Sequence, residues 1–337
     1  MKKHVYIIAE IGPNHNGNVE TALRMVEQIA ATGVDAIKFQ MSNPYELYSD
    51  DSFKAAYQKT NDKAPTAREM SLRIQLKPEE HLQVYEKCKS FGVDYICTAF
   101  DLGSLQFLDT HMDMAYFKIA SGEIFSLDII DYMAKHQRPI ILSTGMATYE
   151  EVKKSISLLN KYGRKDITIL HCISAYPAKY EEVNLLNMLE MKDLFGYEIG
   201  FSDHTIGNEC AIAAVAMGAS MIEKHVTYDK NADGPDHKAS ITIDELTRLV
   251  QSIRHIESAI GVRERQFSET QREISRVARK SVIAKRNIAK GEIITLDDIC
   301  YKRPGIGFLP IEQDQVIGKK AVCNIERDRV IKPEYIQ

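Results

Sequence analysis

The chain has no long apolar run; nothing in it approaches the roughly 20 residues that a membrane span requires. After Met1-Lys2-Lys3 the apolar segment at 5–9 stops at Glu10, too short for a secretory signal. There is no excess of charge of one sign either: 43 Lys and Arg stand against 47 Asp and Glu, for a net charge of −4. That balance removes the electrostatic footprint of a nucleic-acid or membrane-surface binder. The six cysteines show no short paired spacing, and Cys97 and Cys172 sit inside apolar strand-like runs. Reduced, buried thiols in a cytoplasmic protein are the expectation. No Gly-x-Gly-x-x-Gly follows the first apolar strand, which argues against a dinucleotide-binding sheet.

What is present is an alternation of two periodicities. Short apolar runs at 5–9, 36–40, 95–100, 115–120, 139–145, 167–172, 198–201 and 221–225 read as buried strands. Amphipathic stretches separate most of them, predicting helices over 19–31, 78–90, 102–109, 127–135, 149–161 and 211–217. Fully apolar strands alternating with helices predict a parallel sheet covered on both faces. Eight such units over about 250 residues fit a (β/α)8 TIM barrel better than an open doubly wound sheet. The barrel is expected over 1–261, closed by a helix at 243–261, with a polar linker at 262–279. Beyond it, at 280–337, short β-like runs punctuated by turns predict a small β-rich domain. The insertion at 41–77 is too long for an ordinary βα loop and reads as a substrate lid.

In such a barrel the C-terminal strand ends converge on one mouth. They collect Glu10, Lys38, Gln40, Thr98, Lys118, Ser121, Glu123, Ser143, Ser174, Tyr176, Ser202, His204 and His225. Two lysines among several hydroxyls suit a doubly charged oxyanion such as phosphate. Each hydroxyl alone could do no more than cap a strand end, but a lysine inside an apolar strand is costly to bury without a partner. The last two strands each end on a histidine, and adjacent parallel strands lie about 4.8 Å apart. His204 and His225 are therefore placed to share one divalent ion, unless both only cap their strands through backbone hydrogen bonds. A Schiff-base aldolase using Lys38 or Lys118 is the competing chemistry, and it leaves the histidines idle.

The chain also carries an ordered set of short motifs: 9–17 (Ala-Glu-Ile-Gly-Pro-Asn-His-Asn-Gly), Lys38-Phe39-Gln40, and Lys118 through Glu123. Leu142 through Met146, His171-Cys172, Ser202 through Thr205, Glu223-Lys224-His225, Gly234 through His237 and Lys302 through Gly305 complete it. This set resembles the N-acetylneuraminate (sialic acid) synthase family nearly end to end, with an antifreeze-like (SAF) domain at the C-terminus. The resemblance implies condensation of phosphoenolpyruvate with an N-acylated mannosamine-type sugar, giving a nine-carbon 2-keto acid and phosphate. It implies Mn²⁺, or Mg²⁺ or Co²⁺ in its place, on His204 and His225. Lys38, Thr98, Lys118, Ser121, Ser143, Ser174 and Ser202 would hold phosphoenolpyruvate. Asn61, Tyr176 and Asp236 would address the sugar, and Glu10, Gln40 and Glu123 the sugar and the reacting water, with Glu10 or Glu123 carrying protons. Arg303 would reach the N-acyl group across a domain-swapped homodimer. The sugar expected first is N-acetylmannosamine. The alternatives are 2,4-diacetamido-2,4,6-trideoxymannose, as in the legionaminic acid branch, and the substrate of a spore-coat polysaccharide synthase. The motifs at 14–17 and 234–237 look less like those of the pseudaminic branch. A sugar-binding protein acting through its tail domain would leave the barrel-mouth lysines and histidines without work.

Overall fold

The computed structural model describes residues 4–262 and 264–337, in two compact units divided between Gly261 and Val262. The first unit is a closed parallel barrel. Its strands are β1 (Tyr6–Glu10), β2 (Ala36–Met41), β3 (Asp94–Ala99) and β4 (Phe117–Ile119), then β5 (Ile140–Ser143), β6 (Ile167–Cys172), β7 (Glu198–Asp203) and β8 (Met221–Thr227). Each pairs with the next, and β1 closes on β8 with Tyr6 opposite Met221 and Glu10 opposite His225. β9 (Ile241–Thr242) extends β8 at its far end. The strands β4 and β5 are shorter than the apolar runs at 115–120 and 139–145. Pro139 has no N–H to give the ladder, and only its carbonyl takes part, accepting from Phe117 N at 2.8 Å. Among the described residues no helix is long and apolar enough to cross a membrane. All six cysteines are free thiols.

Strand alternation sorts the barrel residues into two faces. Outward side chains such as Ile37, Phe39, Ile119, Leu142, Phe201 and Ile222 pack against Met25, Ile29, Val84, Leu105, Val152 and Leu249 of the surrounding helices. Each such side chain, fully buried, stabilises by about 1.5–3 kcal/mol. Inward, a separate apolar plug forms from Ile8, Ala36, Ile96, Ile141, Leu170 and Met221. Gly200 completes that plug because a Cβ there would lie 2.5 Å from both Leu170 Cδ2 and Met221 O. Two residues further along, the inward positions are polar on every strand but β6, where Cys172 stands: Glu10, Lys38, Thr98, Lys118, Ser143, Ser202 and Glu223. The plug is thus the floor of a polar chamber.

The insertion between β2 and β3 folds into three short helices, Pro44–Leu47, Ala56–Asn61 and Ala67–Ile74. Asn43 and Thr66 cap two of them through their side chains. A buried Asp62 carboxylate ties the segment together by pairing with Lys54 at 3.3 Å and with Arg73. The second unit holds β10 (Ser281–Ala284) and β11 (Ile299–Lys302) as an antiparallel pair, around a core that includes Val282, Ile294, Ile299, Val316 and Ile331. The helix Glu269–Ala278, in the stretch expected to be a linker, groups with this unit.

Two imidazoles are sealed inside the first unit against the Phe39 ring, His15 at 6.1 Å and His81 at 6.3 Å between centroids. Burial first, then the neighbouring imidazoles, lowers His15 from 6.5 to about 3. Burial alone lowers His81 to about 4. The folded state therefore keeps both neutral while the unfolded chain protonates them near 6.5. Their stabilisation is complete above that pH and is lost as the pH falls toward the folded values, by about 1.4 kcal/mol per unit per histidine. Urea unfolding midpoints should drop steadily from pH 7 to 4.5. His81→Leu should flatten that slope, and an unchanged slope would contradict the assignment.

Candidate active site

A cavity of about 460 Å³ opens at the C-terminal ends of the barrel strands. Lys38 lies at its floor, its ammonium 2.8 Å from Glu10 Oε2, 3.3 Å from Thr98 Oγ1 and 3.7 Å from Glu223 Oε1. Burial alone would lower the pKa of Lys38, but the Glu10 and Glu223 carboxylates carry it above its ordinary value. Lys118 donates to Ser143 Oγ at 2.7 Å and to the Ile119 carbonyl at 3.2 Å. Burial pushes Lys118 down, and Lys38 adds to that push. Glu223 accepts from Ser202 Oγ at 3.2 Å. Burial would raise Glu223, yet the Lys38 and Lys118 cations hold it below the usual carboxylate range.

Glu10 lies wholly buried beneath the cavity wall and accepts from Gln40 Nε2 at 2.7 Å. Its burial raises it above a normal carboxylate despite the Lys38 partner. Gly12, at φ +50°, turns the chain over this pair, and a Cβ there would sit 2.8 Å from Glu10 Oε1 and 3.0 Å from Gln40 Nε2. On the opposite side, Ser121 and Ser174 share a hydrogen bond of 2.9 Å. Glu123 lines the cavity, accepts from Ser126 and is raised by burial.

The imidazoles of His204 and His225 both face this cavity, 5.2 Å apart between centroids and inclined at 71°. His204 stands one residue past the end of β7, and His225 lies within β8 rather than at its tip. The Tyr176 ring lies against both, at 4.2 and 5.6 Å. The Ile173 carbonyl binds His204 Nδ1 at 2.7 Å, which leaves Nε2 as the free nitrogen, 3.4 Å from Ser202 Oγ. Burial opposes protonation of His204, but the Cys172 sulfur, the Ile173 carbonyl and Glu223 raise it to about 8. Burial, then His204 and the lysines, keeps His225 neutral. Asp236 Oδ2 is 3.6 Å from His225 Nδ1, and burial with the Glu10 charge pushes Asp236 up to about 7.

These residues fit a divalent ion in one specific way. His225 Nδ1 and Glu223 Oε2 are buried with no hydrogen-bond partner, so the chamber carries unspent donor atoms. Among the described residues, no three His, Cys, Asp or Glu side chains form a group that could hold a metal. The arrangement suits an ion gripped by two imidazoles, with its other positions left to water and substrate.

Most of the residues expected at the mouth meet there. Lys38, Gln40, Thr98, Lys118, Ser121, Glu123, Ser143, Tyr176, Ser202, His204, His225 and Asp236 all line the cavity. Glu10 and Ser174 stand directly behind it. Asn61 lies beyond the lining, donating to the Pro235 carbonyl at 3.2 Å. Arg303 belongs to the second unit, where it is exposed. Glu223 was passed over among the strand ends, although alternation from His225 puts it on the same inward face. Tyr57 was also missed; it lines the cavity from the insertion and packs on Tyr176 at 5.4 Å.

A closed parallel barrel with a polar mouth of lysines, hydroxyls and paired imidazoles, followed by a small separate domain, defines the class. The pattern of the NeuB family matches residues 25–265 and that of the SAF domain matches 279–336; the chain belongs to the NeuB family. It is 39% identical to the N,N'-diacetyllegionaminic acid synthase of Campylobacter jejuni, over 98% of this chain and 99% of that protein. Against the enzyme of the same name from Legionella pneumophila the identity is 36%, over 98% and 94%. A crystal structure of N-acetylneuraminic acid (sialic acid) synthetase from Leptospira borgpetersenii superposes with a TM-score of 0.72 at 30% identity. It covers 81% of this chain and 90% of that one.

The Gly12 turn offers a test of the site's construction. A left-handed backbone costs an L-residue about 1–2 kcal/mol. Gly12→Ala should lose at least about that much in urea unfolding and should also reduce turnover, because the new methyl displaces the Glu10–Gln40 pair. A variant unchanged in both would contradict this geometry.

Proposed function

We propose that the protein is a nonulosonic acid synthase that joins phosphoenolpyruvate to 2,4-diacetamido-2,4,6-trideoxymannose, giving N,N'-diacetyllegionaminic acid and phosphate. The carrying observation is the chamber in which Lys38, Lys118, Thr98, Ser143 and Ser202 converge beside His204 and His225. N-acetylmannosamine, the sugar expected first, ranks below it here. The two relatives named for diacetyllegionaminic acid are 39% and 36% identical, against 30% for the structure named for sialic acid.

The lysines and hydroxyls bind the enol phosphate at the floor through charge-assisted hydrogen bonds. A divalent ion such as Mn²⁺, when held by His204 and His225, supplies Lewis-acid polarisation of the sugar aldehyde. C3 of phosphoenolpyruvate forms the new carbon–carbon bond at the aldehyde carbon. Glu10 and Glu123, both raised by burial, are suited to hold and deliver the proton that the new hydroxyl needs. Water adds at C2, and the tetrahedral adduct collapses with cleavage of its C–O bond and departure of phosphate. Tyr176 and Asp236 wall the sugar side.

The remaining walls support the choice of sugar. Leu47, Met70, Ile74, Phe100 and Met146 present apolar surface that suits a 6-methyl group and N-acetyl methyls. Among the described lining residues the lysines are Lys38 and Lys118, both at the floor, so no ammonium is left for a sugar 6-phosphate. A homodimer in which Arg303 reaches the N-acyl group is part of this proposal and rests on the family resemblance.

Phosphate release with Mn²⁺ should be followed with N-acetylmannosamine, its 6-phosphate and 2,4-diacetamido-2,4,6-trideoxymannose. The diacetamido sugar should lead in kcat/KM by about 10-fold or more. Release with none of them, after confirmed Mn²⁺ loading, would overturn the reaction. Lys118→Met should lower kcat/KM for phosphoenolpyruvate by about 10–100-fold, the worth of one charge-assisted hydrogen bond. An unaffected value would remove Lys118 from the phosphate site.

A further inference from the structure

On the outer face of the barrel, directly behind the two imidazoles, lies a second buried charge pair that the reaction does not use. Asp203 and Lys224 are register partners on β7 and β8. Their charged atoms are 2.8 Å apart, and neither side chain is exposed to solvent. Asp203 Oδ1 accepts from Thr205 N at 2.8 Å and from Thr205 Oγ1 at 2.7 Å. Lys224 Nζ donates to the Thr205 carbonyl at 2.7 Å. Asp203, Lys224 and Thr205, which stands two residues past the end of β7, thus form a closed loop of interactions, and His204 lies in the chain between two of its members. His225 follows Lys224 directly on β8. The helix Glu209–Ala216, with Ala211 and Ala214 buried, packs against β7 and β8 on this face.

Such a pair is a poor choice if stability alone is the criterion. Desolvating two charges costs several kcal/mol, and apolar side chains of similar volume often do as well. What an apolar pair cannot supply is direction. Asp203 and Lys224 hold both ends of the Thr205 peptide, so the backbone on each side of His204 is pinned to β8, the strand that carries His225.

We propose that the Asp203–Lys224 pair, through Thr205, is a positioning device that sets the spacing of His204 and His225 for one divalent ion. This rests on the reading of those histidines as metal ligands. The test measures Mn²⁺ binding to the full chain without substrates, by electron paramagnetic resonance of the free ion, alongside urea unfolding. Asp203→Leu/Lys224→Met removes both charges together and leaves neither unpaired. The variant should remain folded while its Mn²⁺ Kd weakens about 10–100-fold, as for residues that orient metal ligands. Phosphoenolpyruvate affinity should be kept, since Lys38 and Lys118 are untouched. A folded variant with unaltered Mn²⁺ affinity would overturn the positioning role. If that variant does not fold, Asp203→Asn/Lys224→Met decides, because it keeps an acceptor for Thr205 and removes only the tie from its carbonyl to β8: weaker Mn²⁺ binding supports the role and unchanged binding overturns it. Failure of the unaltered protein to bind Mn²⁺ would instead overturn the metal reading, and this role with it.

Discussion

The Lys38 ammonium, closed between the carboxylates of Glu10 and Glu223, is the interaction on which the site depends. It lies in a layer of the barrel where nearly every inward side chain is polar and almost none reaches solvent. In so low a dielectric a lone charge is untenable, so each group depends on its neighbours for its state. Burial leaves Glu10 inclined to keep a proton and Lys118 inclined to lose one, while Glu223 stays ionised between the lysines. A dianion entering this layer would oppose the downward push of burial on Lys118 and favour both lysines in their cationic form.

The same layer explains what can be read without coordinates. Apolar strands that end abruptly on Glu10, Lys38 and Thr98 show where the plug stops, so barrel, mouth and most lining residues are legible from strand ends alone. The helices Pro78–Ser90 and Leu127–Lys135 have the bounds the pattern predicts. Glu223 escaped because it sits in mid-strand, and only the two-residue alternation from His225 reveals its direction. Tyr57 escaped for a different reason. The insertion that carries it is held together by Asp62 with Lys54 and Arg73, and such polar ties leave no hydrophobic period to read.

That division of labour also decides how far motifs can identify a substrate. On the proposed function the floor holds the phosphoenolpyruvate half of the reaction, and its residues fall within the short motifs of the sequence. On that reading, sugars that differ at C4 and C6 would be told apart by the walls, and here Leu47, Met70 and Ile74 come from the insertion. Discrimination by apolar contact is worth only about 1–3 kcal/mol per group. It leaves no strong signature, and small changes in packing can shift it.

Both faces of β7 and β8 are polar at the level where the histidines stand, and alternation makes the two faces one design. Ser202, Glu223 and His225 point into the chamber because Asp203 and Lys224 point out, and a slip of one residue would exchange the sets. An exterior with apolar side chains at 203 and 224 would still satisfy the helix above it. It would leave Thr205 without these anchors, and the His204 backbone would then be tied through its carbonyl to Ala178 N, at 2.9 Å, and no longer to β8. Two imidazoles can share one ion only if both strands hold their backbones still. The outward ion pair and the inward layer of charge are thus two halves of one constraint, imposed by a barrel wall a single strand thick.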